Sequence, residues 1–314
     1  MSGGVKVTLL AGGVGGAKLA EGFAGISGVD LTIIGNVGDD EEFHGLWVSP
    51  DIDTLTYTLA GMIDRNQGWG VADEGHRALG TLRSLGQDTW MTLGDKDLGL
   101  HIYRTMRRQR GDRPSVIAHD VARAFGVTAG IVLPTDDTLQ TRVRTASGWC
   151  SFQEYFVRDG CGPEVMGLDY AGAEAAVATP EAITALEEAE IIVVAPSNPL
   201  VSIAPILAVP GVAQAFDEAQ APKIAVSPII AGAALKGPAA DMLRSLGGRA
   251  DVVGVAQHYG ALIDCLLIDG TDAPQKEEAA ATGQDVIVTD IVMRNAAEKR
   301  RLARTVMDLA VRAA

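Results

Sequence analysis

Acidic side chains crowd one stretch of the sequence, residues 35–61 (GNVGDDEEFHGLWVSPDIDTLTYTLAG). Asp39 and Asp40 are adjacent there, and Asp51 and Asp53 stand two residues apart. Hard divalent cations prefer carboxylate oxygens, and Mg²⁺ takes one or two carboxylates together with phosphates and water. These residues are therefore candidates for a cation site. The alternative is structural, with Asp51 or Asp53 starting or capping the helix that the apolar spacing predicts over residues 51–64.

A glycine-rich loop lies upstream, in AGGVGGAKLAEGF at residues 11–23, between a predicted strand and a predicted helix. It matches neither the dinucleotide pattern GxGxxG nor the P-loop pattern GxxxxGK[ST]. Glycines still leave backbone N–H groups free to face an anion, and the helix N-terminus adds its dipole. Close packing in a tight turn is the alternative reason for them. The candidate phosphate-binding residues are Gly12, Gly13, Gly15, Gly16 and Lys18.

Short polar residues follow two strongly apolar strands further along the chain. Ser197 and Asn198 come after IIVVAP, with Ser202 heading a helix, and Ser227 follows KIAV one strand later. Such side chains suit hydrogen bonds to ribose, phosphate or base, so the two loops favour a nucleotide crevice. Lys96, in LGDKDLGLH, could pair with a phosphate or an acidic ring, and a capped helix start is the alternative there. The sequence contains no Gly-x-Ser-x-Gly elbow, the motif that would indicate a nucleophilic serine.

The elements that must position these loops alternate between strand and helix. Such alternation predicts an α/β fold, a mainly parallel sheet covered by helices on both faces, with ligands at the carboxyl ends of the strands. We expect one Rossmann-like, three-layer α/β/α domain over residues 1–314. Partial alternation around a Ser-Gly turn in TRVRTASGWCSFQEYFVRD predicts a hairpin, and residues 135–180 are expected to form an insertion containing it and a helix.

Composition narrows the class of protein. The chain has 314 residues and a net charge of −14, which argues against general nucleic-acid binding. The densest basic segment, RTMRRQRGDR at residues 104–113, is expected to be a solvated helix end. No stretch approaches the roughly 18 apolar residues of a spanning helix, and the N-terminus does not read as a signal peptide, so we expect a cytoplasmic protein without a membrane partner. Three cysteines without a CxxC pair indicate buried, reduced thiols.

Nine motifs, in order along most of the chain, resemble one known family. They are LAGGVGGAK, NVGDD, SPDIDTLTYTLAG, RNQGWG, LGDKDL, LPTDD, FQEYFVR, APSNPLVSIAPIL and SPIIAG. The family is that of the 2-phospho-L-lactate transferases of deazaflavin-coenzyme biosynthesis. A related group that binds nucleotide-sugars and acts in regulation shares the glycine-rich start and the acidic segment, and it is the alternative.

The resemblance implies a Rossmann-like, magnesium-dependent, usually dimeric enzyme. Its members join a guanosine-diphosphate-activated three-carbon acid to the ribityl hydroxyl of 7,8-didemethyl-8-hydroxy-5-deazariboflavin and release GMP. By the same resemblance, the glycine loop with Ser197 and Asn198 would hold the guanosine diphosphate. Asp53 and Lys96 would lie at the deazaflavin pocket, although the family often has Arg in place of this lysine.

The resemblance also assigns the ligands of the magnesium ion. Asp40 and Asp53 would be its main ligands, with Asp39 and Asp51 as alternative or outer ligands. For the mechanism, our hypothesis is that Asp53 or Asp51 orients the attacking hydroxyl or accepts its proton. No motif distinguishes phospholactate from phosphoenolpyruvate or phosphoglycerate in the donor.

Overall fold

The computed structural model describes residues 4–234 and 237–313. The strands within these residues are β1 Val5–Ala11, β2 Val29–Gly35, β3 Glu41–Phe43, β4 Leu46–Val48, β5 Gly130–Val132, β6 Gln140–Thr145, β7 Gly148–Ser151, β8 Gly167–Ala171, β9 Ile191–Val194, β10 Lys223–Val226, β11 Ile229–Ile230, β12 Ala233–Ala234, β13 Cys265–Ile268 and β14 Asp285–Val288.

Helices connect most of these strands. They are α1 Gly13–Ala24, α2 Pro50–Leu59, α3 Arg77–Ser84, α4 Asp95–Gln109, α5 Pro114–Ala124, α6 Pro180–Glu187, α7 Ala204–Leu207, α8 Pro210–Glu218, α9 Ala239–Ser245, α10 Val252–Tyr259, α11 Lys276–Ala280 and α12 Ala296–Ala313. Short 3₁₀ turns cover Ala173–Ala175, Gly260–Leu262 and Gly270–Gln275, and π-helical turns cover Glu154–Arg158 and Pro199–Ile203.

Seven strands form one parallel sheet in the order β14-β13-β10-β9-β1-β2-β5. The inner strands are apolar along their length because a parallel sheet is covered on both faces. Leu9 and Leu10 point to opposite faces of β1, and both are fully buried. The predicted α/β class with a mainly parallel sheet is therefore confirmed.

The strand order places a topological switch point in the middle of the sheet. From β1 the chain moves outward through β2 to β5, and it then returns to the other side of β1 with β9, β10, β13 and β14. Loops that leave β1 and β9 at their carboxyl ends therefore diverge and open a crevice between them, which is where ligands bind in doubly wound folds.

A small antiparallel sheet, in the order β7-β6-β8, lies between β5 and β9 in the chain. The predicted hairpin is β6 and β7, and the helical segments nearby are the π-helical turn Glu154–Arg158 and the 3₁₀ turn Ala173–Ala175. This sheet touches the acidic segment because the backbone N–H of Thr141 donates to the carbonyl of Gly38 at 2.7 Å. It therefore forms part of the wall beside the crevice.

Two further expectations concern cysteines and membrane spans. Cys150, Cys161 and Cys265 are free, as expected, but each is only half-buried. Within residues 4–234 and 237–313 no single helix is long and apolar enough to cross a membrane. One bent pair, Pro199–Leu207 with Pro210–Glu218, passes that test jointly by length and composition.

Candidate functional site

One serine hydroxyl ties the two loops at the switch point together. Ser197, directly beyond β9, donates through Oγ to the carbonyl of Gly12 at 2.7 Å. The same oxygen accepts the backbone N–H of Gly12 at 3.2 Å. Ser197 is buried, so these bonds are shielded from water. The loop after β9 thus fixes the position of the loop that opens α1.

Close packing explains three of the loop glycines. A Cβ on Gly15 would lie 2.2 Å from the carbonyl oxygen of Pro196, and one on Gly12 would lie 2.4 Å from Oδ2 of Asp51. A Cβ on Gly16 would approach that of Ala11 to 2.8 Å. These glycines let the first turn of α1 sit directly against both neighbouring loops. Phosphate binding by the same loop stays a prediction.

Asp51 occupies the N-terminus of α1. Its Oδ1 accepts the backbone N–H of Gly13 at 2.7 Å, and its Oδ2 accepts the Nδ2 of Asn36 at 2.9 Å. Asp51 and Asp53 lie in the first turn of α2, as expected of residues that start it, but neither caps it, because the N-cap position is Ser49 and no side chain caps the helix. Burial raises the pKa of Asp51 to about 6. Asp51 therefore joins the acidic segment to the glycine loop.

Two oxygens of the acidic segment are buried without a hydrogen-bond partner, Oδ1 of Asp39 and Oδ1 of Asp40. The other oxygen of Asp40 accepts the hydroxyl of Ser49 at 2.7 Å and the indole N–H of Trp47 at 3.1 Å. Burial raises the pKa of Asp40 to about 7. Burial and the carboxylate of Asp51 raise the pKa of Asp39 well above its usual range. The hydrogen bonds from Ser49 and Trp47 and the charge of Arg104 therefore compensate the charge of Asp40 only in part.

Asp53 has a partner that the sequence did not reveal. Both of its oxygens accept from the guanidinium of Arg104, with Nη1 3.1 Å from Oδ2. Arg104 is buried, so the expectation that residues 104–113 are a solvated helix end is wrong for its first residue. His101 completes the cluster, since its Nδ1 lies 3.2 Å from Nη1 of Arg104. Burial lowers the pKa of His101 to about 4, which keeps the imidazole neutral at pH 7.

The other predicted residues divide between the crevice and its surroundings. Ser202 is buried and packs against Gly12: a Cβ added to Gly12 would lie 2.8 Å from the Cβ of Ser202. The hydroxyl of Ser227 bonds within its own loop, to the backbone of Ile229. Asn198 likewise accepts the N–H of Leu200 at 2.9 Å.

Two predicted lysines lie on helices that flank the crevice. Lys96 is exposed in the first turn of α4, and its Nζ donates to the carbonyl of Ala72 at 2.6 Å. Lys18 is half-buried in the second turn of α1. The structure thus places both cations on the same elements as the glycine loop and Arg104.

Sequence reasoning missed four residues that hold the carboxylates: Asn36, Trp47, Ser49 and Arg104. Asn36 is fully buried, and its Nδ2 also donates to the carbonyl of Val201 at 3.2 Å. Its only signal in the sequence is its place between a strand and two aspartates. Trp47 lies in β4 and Ser49 directly follows it, and the β3–β4 hairpin of two three-residue strands is too short for an alternation pattern.

The chemistry of these donors fits a hard cation at Asp39 and Asp40. Each has a buried, unsatisfied carboxylate oxygen, and a cation would stabilise the ionised carboxylates that burial disfavours. Among the residues that the structure describes, no three His, Cys, Asp or Glu side chains are arranged to hold a metal by themselves. Magnesium needs only one or two carboxylates when phosphates and water supply the rest. Asp53 fits less well because both oxygens are bound to Arg104.

The parallel sheet and its switch point define the class of fold: a Rossmann-like α/β protein. Solved structures share this fold. A protein of the UPF0052 family from Bacillus halodurans aligns with a TM-score of 0.64, covering 97% of this chain and 99% of that one. Its sequence is 15% identical to this chain, so that likeness shows the fold alone.

Sequence comparison identifies the family. The profile of the 2-phospho-L-lactate transferase CofD family matches residues 7–308. A protein of Methanopyrus kandleri named 2-phospho-L-lactate transferase is 36% identical over 307 residues, covering 96% of this chain and 97% of its own. Proteins named phosphoenolpyruvate transferase from Streptomyces griseus and Mycobacterium tuberculosis are 36% and 37% identical, and both align over at least 91% of this chain.

The chain belongs to the 2-phospho-L-lactate transferase CofD family. It is an enzyme, a transferase of deazaflavin-coenzyme biosynthesis, as the nine motifs predicted. The members above carry names for two different three-carbon groups at nearly equal identity. Overall similarity therefore does not assign the donor of this chain.

Proposed function

We propose that this transferase moves a phospho-three-carbon-acid group, phospholactate or phosphoenolpyruvate, from a guanosine-diphosphate-linked donor to the ribityl hydroxyl of 7,8-didemethyl-8-hydroxy-5-deazariboflavin, releasing GMP. The observation that carries the proposal is the juxtaposition of a glycine loop with two buried carboxylates, Asp39 and Asp40, that each have an unsatisfied oxygen. An acidic crevice repels a diphosphate unless a cation lies between them. Asp39 and Asp40 each provide a buried oxygen without a partner for that cation.

The diphosphate of the donor is assigned to the loop of residues 12–16 and the N-terminus of α1. Backbone N–H groups of a first helical turn have no intrahelical acceptor, and the helix dipole favours negative charge there. Gly12 and Gly13 already donate to Ser197 and Asp51, so the N–H groups that follow Gly13 in this turn are assigned to the diphosphate. Ser197 and Ser202 line the same loop, and Lys18 follows on α1. Asn198 and Ser227 shape the adjoining strand ends, where the nucleoside would lie.

The acceptor is assigned to the side of the crevice formed by α2 and α4. Asp53 lies on α2, and Lys96 lies at the start of α4. Lys96 would face the acidic ring of the deazaflavin. Asp53 would accept a hydrogen bond from the ribityl hydroxyl, since each carboxylate oxygen keeps a free lone pair beside Arg104.

Transfer needs positioning and neutralised charge rather than a covalent enzyme intermediate. The hydroxyl oxygen forms a bond to the phosphorus that carries the three-carbon acid, and the bond from that phosphorus to the oxygen of GMP breaks. The hydroxyl proton leaves to a carboxylate or to water, and a loose transition state needs little base strength. Magnesium held by Asp39 and Asp40 would supply a Lewis acid that stabilises charge on the diphosphate. Asp51, held by Gly13 and Asn36, keeps the acidic segment against the phosphate loop.

A turnover assay with three donors tests the proposal. Purified protein, Mg²⁺ and the deazaflavin alcohol are incubated with guanosine-diphosphate-linked lactate, enolpyruvate or glycerate in parallel. We expect one GMP and one deazaflavin phosphodiester per turnover, with loss of activity in EDTA. Failure with every donor, together with tight binding of UDP-sugars, would overturn the proposal in favour of the regulatory alternative. A homodimer and a cytoplasmic location belong to the same proposal, and light scattering and cell fractionation test them.

A further inference from the structure

Arg104 is a buried cation that is hydrogen-bonded to Asp53, the carboxylate assigned to the acceptor side of the crevice. It lies in the middle of α4, only 7% exposed, and its guanidinium meets both oxygens of Asp53 on α2. Nη1 also lies 3.4 Å from the carbonyl of Trp47, at the end of the β3–β4 hairpin. Three separate segments therefore converge on one side chain.

The guanidinium of Arg104 fixes the orientation of the Asp53 carboxylate. Two parallel N–H···O contacts hold a carboxylate in one plane, which a single contact to lysine cannot do. His101, neutral and buried, lies against Nη1 and leaves Arg104 little freedom to rotate away. Removing one partner of such a buried pair leaves an uncompensated charge, so the two side chains act as one unit.

We propose that Arg104 is a positioning residue for the transfer: it holds the Asp53 carboxylate in the orientation in which its free lone pairs receive the ribityl hydroxyl. The inference rests on the proposed function and deepens it on the acceptor side. It makes Asp53 a hydrogen-bond acceptor for substrate rather than the principal cation ligand. Arg104 itself touches no reacting atom.

The test uses Arg104→Lys and Arg104→Met, with Arg107→Lys and Arg107→Met as matched controls. Arg107 lies on the same helix but pairs with Asp112 and Asp120, away from Asp53. Acceptor binding is followed by the deazaflavin absorbance, GDP binding by calorimetry, and turnover by GMP release. A double variant, Asp53→Asn with Arg104→Met, measures whether the two residues act together.

We expect Arg104→Met to weaken acceptor binding or lower kcat at least tenfold, while GDP binding stays within twofold of the wild type. Arg104→Lys keeps the charge, and hence a compensated core, but loses the fork, so it should show a smaller loss of the same kind. The double variant should be no worse than Asp53→Asn alone. Both Arg107 variants should match the wild type.

Two results overturn the inference, and they are distinguishable. If the wild type turns over but Arg104→Lys and Arg104→Met match their Arg107 controls, Arg104 has no positioning role. If Arg104→Met fails to fold, Arg104→Lys alone decides, and unchanged kinetics in that variant refute the inference. A wild type that neither binds the deazaflavin alcohol nor turns over refutes the proposed function, and the inference with it.

Discussion

Asp40→Asn removes a carboxylate that the fold buries with one oxygen unsatisfied. Burial raises the pKa of Asp40 from 3.8 to about 7. Folded protein therefore binds this proton more tightly than unfolded chain, so the free energy of unfolding falls as pH rises from about 4 to about 7. At about 1.4 kcal/mol per pH unit, ionised Asp40 costs the folded state up to about 4 kcal/mol at pH 8.

Urea denaturation in EDTA at pH 5 and pH 8 measures this cost. We expect Asp40→Asn to be more stable than the wild type at pH 8, by up to about 4 kcal/mol. At pH 5 the gap should shrink to about 1.6 kcal/mol, because only the interval between pH 3.8 and pH 5 then contributes to it. The asparagine oxygen can still accept from Ser49 and Trp47.

The matched control is Glu42→Gln, which changes an exposed carboxylate in the same segment. It should leave stability within about 0.5 kcal/mol at both pH values. Equal or lower stability of Asp40→Asn at pH 8, relative to the wild type in EDTA, would refute the reasoning. It would mean that the protein itself compensates the charge of Asp40.

Two further predictions concern the glycine loop of residues 12–16 and its contacts with the loop after β9. Gly15→Ala forces a Cβ against the carbonyl of Pro196, so we expect a loss of about 3 kcal/mol in urea denaturation, whereas Gly99→Ala, in open space on a helix, should gain up to about 1 kcal/mol. A Gly15→Ala protein as stable as the wild type would contradict the packing argument. Ser197→Ala removes both hydrogen bonds to Gly12, so we expect a loss of about 1–2 kcal/mol and GDP binding at least threefold weaker by calorimetry. Unchanged GDP affinity would show that this loop does not shape the donor site.

Local sequence signals were sufficient for the sheet and for the loops at its edge. Buried parallel strands need unbroken apolar runs, so β1, β2, β9 and β10 stand out in the sequence. Glycine and short polar residues directly after such runs mark the carboxyl edge. That is why residues 12–16 and Ser197 could be expected at the same edge of the sheet, where a hydrogen bond joins them.

Partners distant in the sequence could not be predicted in this way. Arg104 belongs to a run of basic residues that has the pattern of a solvated helix end, and its partner Asp53 is 51 positions away. The Arg104 guanidinium is buried because α4 packs against both the β3–β4 hairpin and α2. A polar side chain in a loop can also use its hydrogen bonds within that loop, as Ser227 does, and the sequence does not show this. Residue type and spacing therefore predict neither the burial of Arg104 nor the internal hydrogen bonds of Ser227.

Binding of GDP with and without Mg²⁺ tests most directly the claim that Asp39 and Asp40 hold a cation against a diphosphate. Calorimetry on the wild type, Asp40→Asn and Glu42→Gln at pH 7.5 supplies the comparison. We predict that Mg²⁺ strengthens GDP binding at least tenfold in the wild type and in Glu42→Gln, and less than twofold in Asp40→Asn. GDP affinity that is independent of Mg²⁺ in the wild type, or a full Mg²⁺ effect in Asp40→Asn, would contradict the account.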